Sequence, residues 1–192
     1  MRHYGRLDIL VNNAGTAAAK SFELIDDESR AFDLDLMLFG AIRFARAAVP
    51  HMRKSGGGAI INITTSWAET PPAASMPSSV SRAAGQAMTK AMSRDLAPDH
   101  IRVNTVCIGM IRSAQLEERW KREEPELTWE QYAWNPRHSI PLGRIVTRKK
   151  RQKSSFFWHP MLPPMLQELL SILTGVQLRL CKPLTIKNAG GL

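Results

Sequence analysis

Compact apolar runs alternate with amphipathic stretches along most of this chain. Leu7, Ile9, Leu10 and Val11 form a short apolar run suited to a buried strand over residues 7–11. Asp26-Asp27-Glu28 then opens a long helix, because carboxylates are favoured at a helix's positive end. Phe32, Leu36, Phe39, Ile42 and Phe44 recur at near-helical spacing, predicting an apolar face that extends toward Pro50. The turn residues Ser55-Gly56-Gly57-Gly58 precede a second, partly β-branched strand over 59–63. An Ala- and Met-rich segment predicts a second helix over 78–96, and Ile101–Ile108 reads as a third strand. Beyond Ile108 the pattern is irregular, except that Thr128-Trp129-Glu130-Gln131 has the form of a capping box. Strands separated by helices of this length predict an α/β fold, its sheet paired in parallel through right-handed crossovers.

Composition changes this picture little. The 192 residues suffice for one domain with a single core. Cys107 and Cys181 make no disulfide framework, which points to a reducing cytoplasm. No stretch is apolar for long enough to span a bilayer, so no membrane role is expected. The net charge of +9 invites a nucleic-acid reading, but its distribution argues against one. Residues 146–192 hold eight Lys/Arg and one acidic residue, whereas residues 1–145 hold eighteen and sixteen. The basicity belongs to Arg148-Lys149-Lys150-Arg151 and Lys153, a run best read as a solvated segment without a specific nucleic-acid partner. His51, His100, His138 and His159 are scattered, without the spacing of metal ligands.

Three motifs carry the chemistry. Gly5-Arg6-Leu7-Asp8-Ile9-Leu10-Val11 runs into Asn12-Asn13-Ala14-Gly15; Ala59-Ile60-Ile61-Asn62-Ile63 ends at Thr64-Thr65; and Ile101-Arg102-Val103-Asn104-Thr105-Val106-Cys107-Ile108 ends at Gly109. In this order and at these separations they resemble the short-chain dehydrogenase/reductase family, over residues 5–145. The resemblance implies a partial Rossmann-like, doubly wound parallel sheet, built from strands corresponding to the fourth to sixth of the family. It also implies hydride transfer between NAD or NADP and a small-molecule carbonyl or alcohol substrate. Asn12, Ala14, Gly15, Arg82, Gly109, Ile111 and Ser113 would face the cofactor. The two long helices would serve a homo-oligomer, as the corresponding pair commonly does in the family.

The family's proton chemistry uses a tyrosine, a lysine one helical turn later, a serine at the strand end and an asparagine on the long helix. Here those four positions hold Ser78, Arg82, Thr65 and Met37, with Ser66 beside Thr65. Threonine can still hydrogen-bond a carbonyl, and arginine can hold a ribose. A serine hydroxyl with no adjacent base, however, is a poor proton donor at neutral pH. Plainer roles stand beside these: Asn12 can bridge strand and helix backbones, Gly15 can ease a tight turn, and Arg82 can be a solvated side chain.

Two further departures bear on activity. In the family a Gly-rich turn after the first strand holds the pyrophosphate; none precedes Asn12, so the expected chain lacks strands one to three. The resemblance runs through Pro141-Leu142-Gly143-Arg144-Ile145 and then stops. With permissible codons, the adjacent reading frame from Val146 restores a family-like ending, which implies that residues 146–192 are a frameshifted, basic, Pro-containing tail. The sequence thus predicts a family oxidoreductase, impaired or inactive as a fragment. The alternatives are a non-catalytic relative acting through helix-mediated association, and a basic-tail binding protein.

Overall fold

The computed structural model describes residues 4–146. Three parallel strands, β1 (Ile9–Asn12), β2 (Gly58–Thr65) and β3 (Ile101–Ile108), form a sheet in the order β1-β2-β3. The register pairs Ile9 with Ala59 and Gly58 with Ile101, so the motif-bearing strand ends Asn12, Thr65 and Ile108 lie along one edge of the sheet. Among the described residues β1 is an edge strand.

The first crossover is not one regular helix. Helix α1 (Asp27–Leu34) is N-capped by Asp26, whose carboxylate accepts from Ser29 N–H at 2.6 Å. A π-helical turn, Asp35–Phe39, then leads into α2 (Gly40–Lys54). The helix does not stop at Pro50 but continues to Lys54. The expected apolar face is corrected as well. Phe32, Phe39 and Phe44 are exposed, at 62%, 47% and 62%, while Ala41, Ala45, Ala48, Val49 and Met52 are buried. Close approach of helix to sheet selects small residues on the inner face, and the larger aromatics are left outside.

Helix α3 (Ser78–Asp95) crosses back to β3 and packs on the same side of the sheet. Met52 and Ile60 are fully buried there, with Ile101, Val103, Leu96 and Val49 around them. The opposite sheet face carries Ile9, Val11, Ile63 and Ile108 around buried Ile61 and Val106. Both faces of the strands are therefore apolar, as a doubly wound sheet requires.

The segment after Ile108 is more regular than its sequence suggests. Helix α4 (Ala114–Glu123) is capped by Ser113, and α5 (Trp129–Ala133) opens with the expected capping box, both bonds present. Trp120 and Trp129 meet edge to face and Trp129 and Tyr132 at a tilt within this unit, and Tyr132 is fully buried. Ile145 and Val146 are buried too: Ile145 N–H donates to the Ala133 carbonyl and Arg112 N–H to that of Val146. The basic cluster, Cys181 and the frameshift reading beyond Val146 lie outside the described residues. No helix of the described residues is long and apolar enough to cross a membrane.

Candidate functional site

The cleft at the carboxyl ends of the strands brings together Asn12, Ala14, Met37 and Arg82 of the residues singled out in the sequence, and leaves the others off its wall. Asn12, at the end of β1, donates through Nδ2 to Asn62 Oδ1 at 2.7 Å. Asn62 Nδ2 donates in turn to Thr89 Oγ1 at 2.8 Å, and Thr89 donates to the Gly85 carbonyl. This polar thread crosses from edge strand to central strand to α3. The expected bridge between strand and helix backbones is corrected: the Asn12 side chain meets the Asn62 side chain on the central strand, and it is Asn62 that reaches the helix.

Gly15 lies against Met37. A Cβ on Gly15 would fall 2.6 Å from the Met37 sulfur, so the loop after Asn12 passes close over the thioether. Farther along, the loop is tied to α3 twice. Ala18 N–H donates to Ser78 Oγ at 3.1 Å, and Arg82 Nη2 donates to the Thr16 carbonyl at 3.2 Å. The chain between Gly15 and Lys20 therefore covers the start of α3; Lys20 N–H adds a bond to the Met76 carbonyl.

Ser78 is not alone. Ser78, 7% exposed, donates to Asp33 Oδ1 at 3.3 Å, and Ser81, 1% exposed, donates to Asp33 Oδ2 at 2.5 Å. Asp33 itself is 1% exposed. The expected serine without an adjacent base is corrected: a buried carboxylate on α1 stands beside it. Arg82, one turn on, is half-buried; burial pulls its pKa below the usual guanidinium value, while the charge of Asp33 opposes that shift.

A cleft of about 430 Å³ opens between α2, α3 and the sheet. Asn12, Ala14, Met37, Thr64, Ser81 and Arg82 are on its wall. Thr65, Ser78, Gly109, Ile111 and Ser113 are not. Thr65 and Thr64 alternate across the strand, and it is Thr64 that reaches α3, approaching the Arg82 carbonyl at 3.5 Å. Thr65 pairs in register with Ile108, next to Gly109. Ile111 bridges to Val146, and Ser113 Oγ accepts from Leu116 N–H as the cap of α4. Among the described residues no cluster of His, Cys, Asp or Glu could hold a metal ion.

Sequence reasoning missed Asp33, Ser81 and Thr64. A signal for Asp33 existed: it stands four residues before Met37, on the line that continues through Ala41, Ala45 and Val49. The larger aromatics of the other face hid it.

Over residues 1–124 the chain matches the short chain dehydrogenase family. An uncharacterized oxidoreductase of Schizosaccharomyces pombe is 33% identical over 154 residues, covering 80% of this chain and 57% of its own. The 7alpha-hydroxysteroid dehydrogenase of Escherichia coli is 35% identical over 114 residues, covering 59% of this chain and 44% of its own. Among solved structures, a Pseudomonas aeruginosa short-chain oxidoreductase described as containing an atypical catalytic center superposes with a TM-score of 0.70 at 34% identity, over 76% of this chain and 57% of its own. L-sorbose reductase from Gluconobacter frateurii, complexed with NADPH and L-sorbose, superposes with a TM-score of 0.73 at 28% identity, over 90% of this chain and 61% of its own. The chain spans about half the length of the curated relatives it matches.

Proposed function

We propose, from the premise that this chain belongs to the short-chain dehydrogenase family, that it carries an NAD(P)-linked oxidoreductase site in which carbonyl reduction is impaired. The observation that carries this reading is the hydroxyl at the tyrosine position. Ser78 Oγ already accepts a bond from Ala18 N–H and donates its proton to a carboxylate, so it is poorly placed to protonate a substrate oxygen.

The nucleotide end of the site supports the family cofactor better than the proton-transfer end does. Arg82 lines the cleft beside Ala14 and gives one of its five N–H donors to the Thr16 carbonyl. Its remaining donors suit the two hydroxyls of a ribose. When bound, the nicotinamide ring supplies hydride exchange with a carbon centre. The chain's own residues do the rest: Arg82 holds the ribose, Thr65 offers a hydroxyl at the strand end beside Gly109, and Met37 presents an apolar wall where the family has an amide. The substrate class we assign is a small carbonyl or alcohol.

The test is NADH- or NADPH-dependent reduction of a panel of ketones and aldehydes at pH 7. We expect turnover below about 0.1 s⁻¹, against the ordinary enzyme median of about 10 s⁻¹. A kcat near that median would refute the reading. A second role, association of two copies through α2 and α3, is favoured by exposed Phe39, Phe44 and Val80 on this side of the fold. Sedimentation of the wild type against Phe44→Glu would show a dimer lost if that face associates.

A further inference from the structure

Gly85 stands in the interior of α3, where glycine is less favourable than alanine. A Cβ on it would meet nothing within 4 Å, so no neighbouring group demands the glycine. What the missing side chain leaves is room in the cleft between α2, α3 and the sheet. That cleft, of about 430 Å³, has the size of a small-molecule site. Leu10, Val11, Leu36, Met37, Phe44 and Met88 give it an apolar wall.

One charged group on this wall lacks a counter-charge. Half-buried Arg82 donates from Nη2 to the Thr16 carbonyl at 3.2 Å, and among the described residues it makes no ion pair. Asp33 is near enough to act on its charge, but both carboxylate oxygens accept from serines instead. Asp35 and Arg43, the other charged residues of the wall, are bonded to each other. The guanidinium lies beside the Met37 thioether: a Cβ on Gly15 would fall 3.7 Å from Nη2 and 2.6 Å from the sulfur.

We propose that this cleft binds an amphipathic carboxylate, a straight-chain aliphatic acid whose carboxylate sits on Arg82 and whose chain lies along the apolar wall. Paired N–H donors of a guanidinium match the two oxygens of a carboxylate. A partly buried cation without a counter-charge is unfavourable, and a bound anion removes that cost. The chain gains by leaving water for the apolar wall. A polyol finds few partners here, since Asn12 and Asn62 already bond each other. The inference goes beyond the oxidoreductase reading and stands if that reading fails; were both right, carboxylate and nucleotide would contend for one guanidinium.

The experiment titrates the full chain by calorimetry with hexanoate, octanoate and decanoate, and with decan-1-ol as the uncharged match. Arg82→Met and Gly85→Leu are compared with wild type after thermal melts verify folding. We expect saturable binding of decanoate, tightening about fourfold with each added methylene of the series. Arg82→Met should weaken decanoate at least about 10-fold and leave decan-1-ol within about twofold. Gly85→Leu, which fills the cleft, should weaken both ligands at least about 10-fold. The Arg82→Met comparison decides alone where Gly85→Leu does not fold. The site is overturned if decanoate does not saturate, if chain length makes no difference, if Arg82→Met keeps the preference for the acid, or if folded Gly85→Leu binds like wild type. A dimer that Phe44→Glu dissociates, with decanoate binding neither form, would give the cleft to a second copy and overturn the proposal as well.

Discussion

Removing the Asn62 side chain should cost more than its size suggests, because it is the middle member of the thread from Asn12 to Thr89. Asn62→Ala deletes two hydrogen bonds, of 2.7 Å to Asn12 and 2.8 Å to Thr89. Each is worth about 1 kcal/mol net, and a partner left unpaired in the interior adds about 1–3 kcal/mol. The two partners are not equally exposed to that penalty. Thr89 keeps its bond to the Gly85 carbonyl, so only an acceptor site is orphaned, whereas half-buried Asn12 can turn to water. We therefore expect a loss of about 2–3 kcal/mol, read as a lower midpoint in urea with an unchanged slope. A double-mutant cycle isolates the pair: Asn12→Ala and Asn62→Ala together should fall short of additivity by about 0.5–1.5 kcal/mol. Coupling below about 0.3 kcal/mol, or a total loss under 1 kcal/mol, would refute the view that this thread bonds strand to helix.

Other outcomes follow from single features of the structure. Gly57 has a φ of +129°, and a Cβ there would sit 2.6 Å from the His100 carbonyl oxygen, so Gly57→Ala should destabilise by about 1–3 kcal/mol, checked by urea unfolding. Thr128→Ala removes the capping-box bond from Gln131 N–H and should cost about 1 kcal/mol, seen as faster hydrogen exchange across α5. His138 is depressed below its ordinary value of 6.5, chiefly by burial; Arg137 and Arg119 add to this, and its bond to the Tyr132 carbonyl opposes it. The folded state thus favours the neutral ring, and its contribution to stability is complete above pH 6.5 and lost as pH falls below that value. Tryptophan fluorescence of the Trp120–Trp129 unit should report this loosening, and His138→Gln should abolish the dependence; an unchanged pH profile in that variant would sink the assignment.

The strands and the second helix were legible in the sequence because each rests on a local signal. Ile101–Ile108 occupies the span read from its apolar run, and Ser78–Asp95 ends one residue short of the helix expected over 78–96. The first crossover was not, because the largest apolar residues are the wrong guide where a helix lies close to a sheet. Phe32, Phe39 and Phe44 set the visible period, yet Ala41, Ala45 and Ala48 make the contact. Helix α4 was missed for a different reason: it is mostly polar, with no buried residue, and only Leu116 and Trp120, one turn apart, pack against the Trp129–Tyr132 cluster. In the site, Met37 and Arg82 were singled out in the sequence, and both lie on the cleft wall. What surrounds Ser78 was not, since Asp33 lies 45 residues away in the chain and only the fold brings it near.

The π-helical turn at Asp35–Phe39 acts as an angular offset between two helices that would otherwise share one winding. Each residue of an α-helix advances about 100°. Deleting one residue from the turn would let a regular helix run through, and it would swing α1 by about that angle relative to α2. Asp33 would then leave the serines of α3 while the contacts of α2 with the sheet stayed as they are. A single codon thus separates two settings of the same scaffold, one with a carboxylate at the start of α3 and one without.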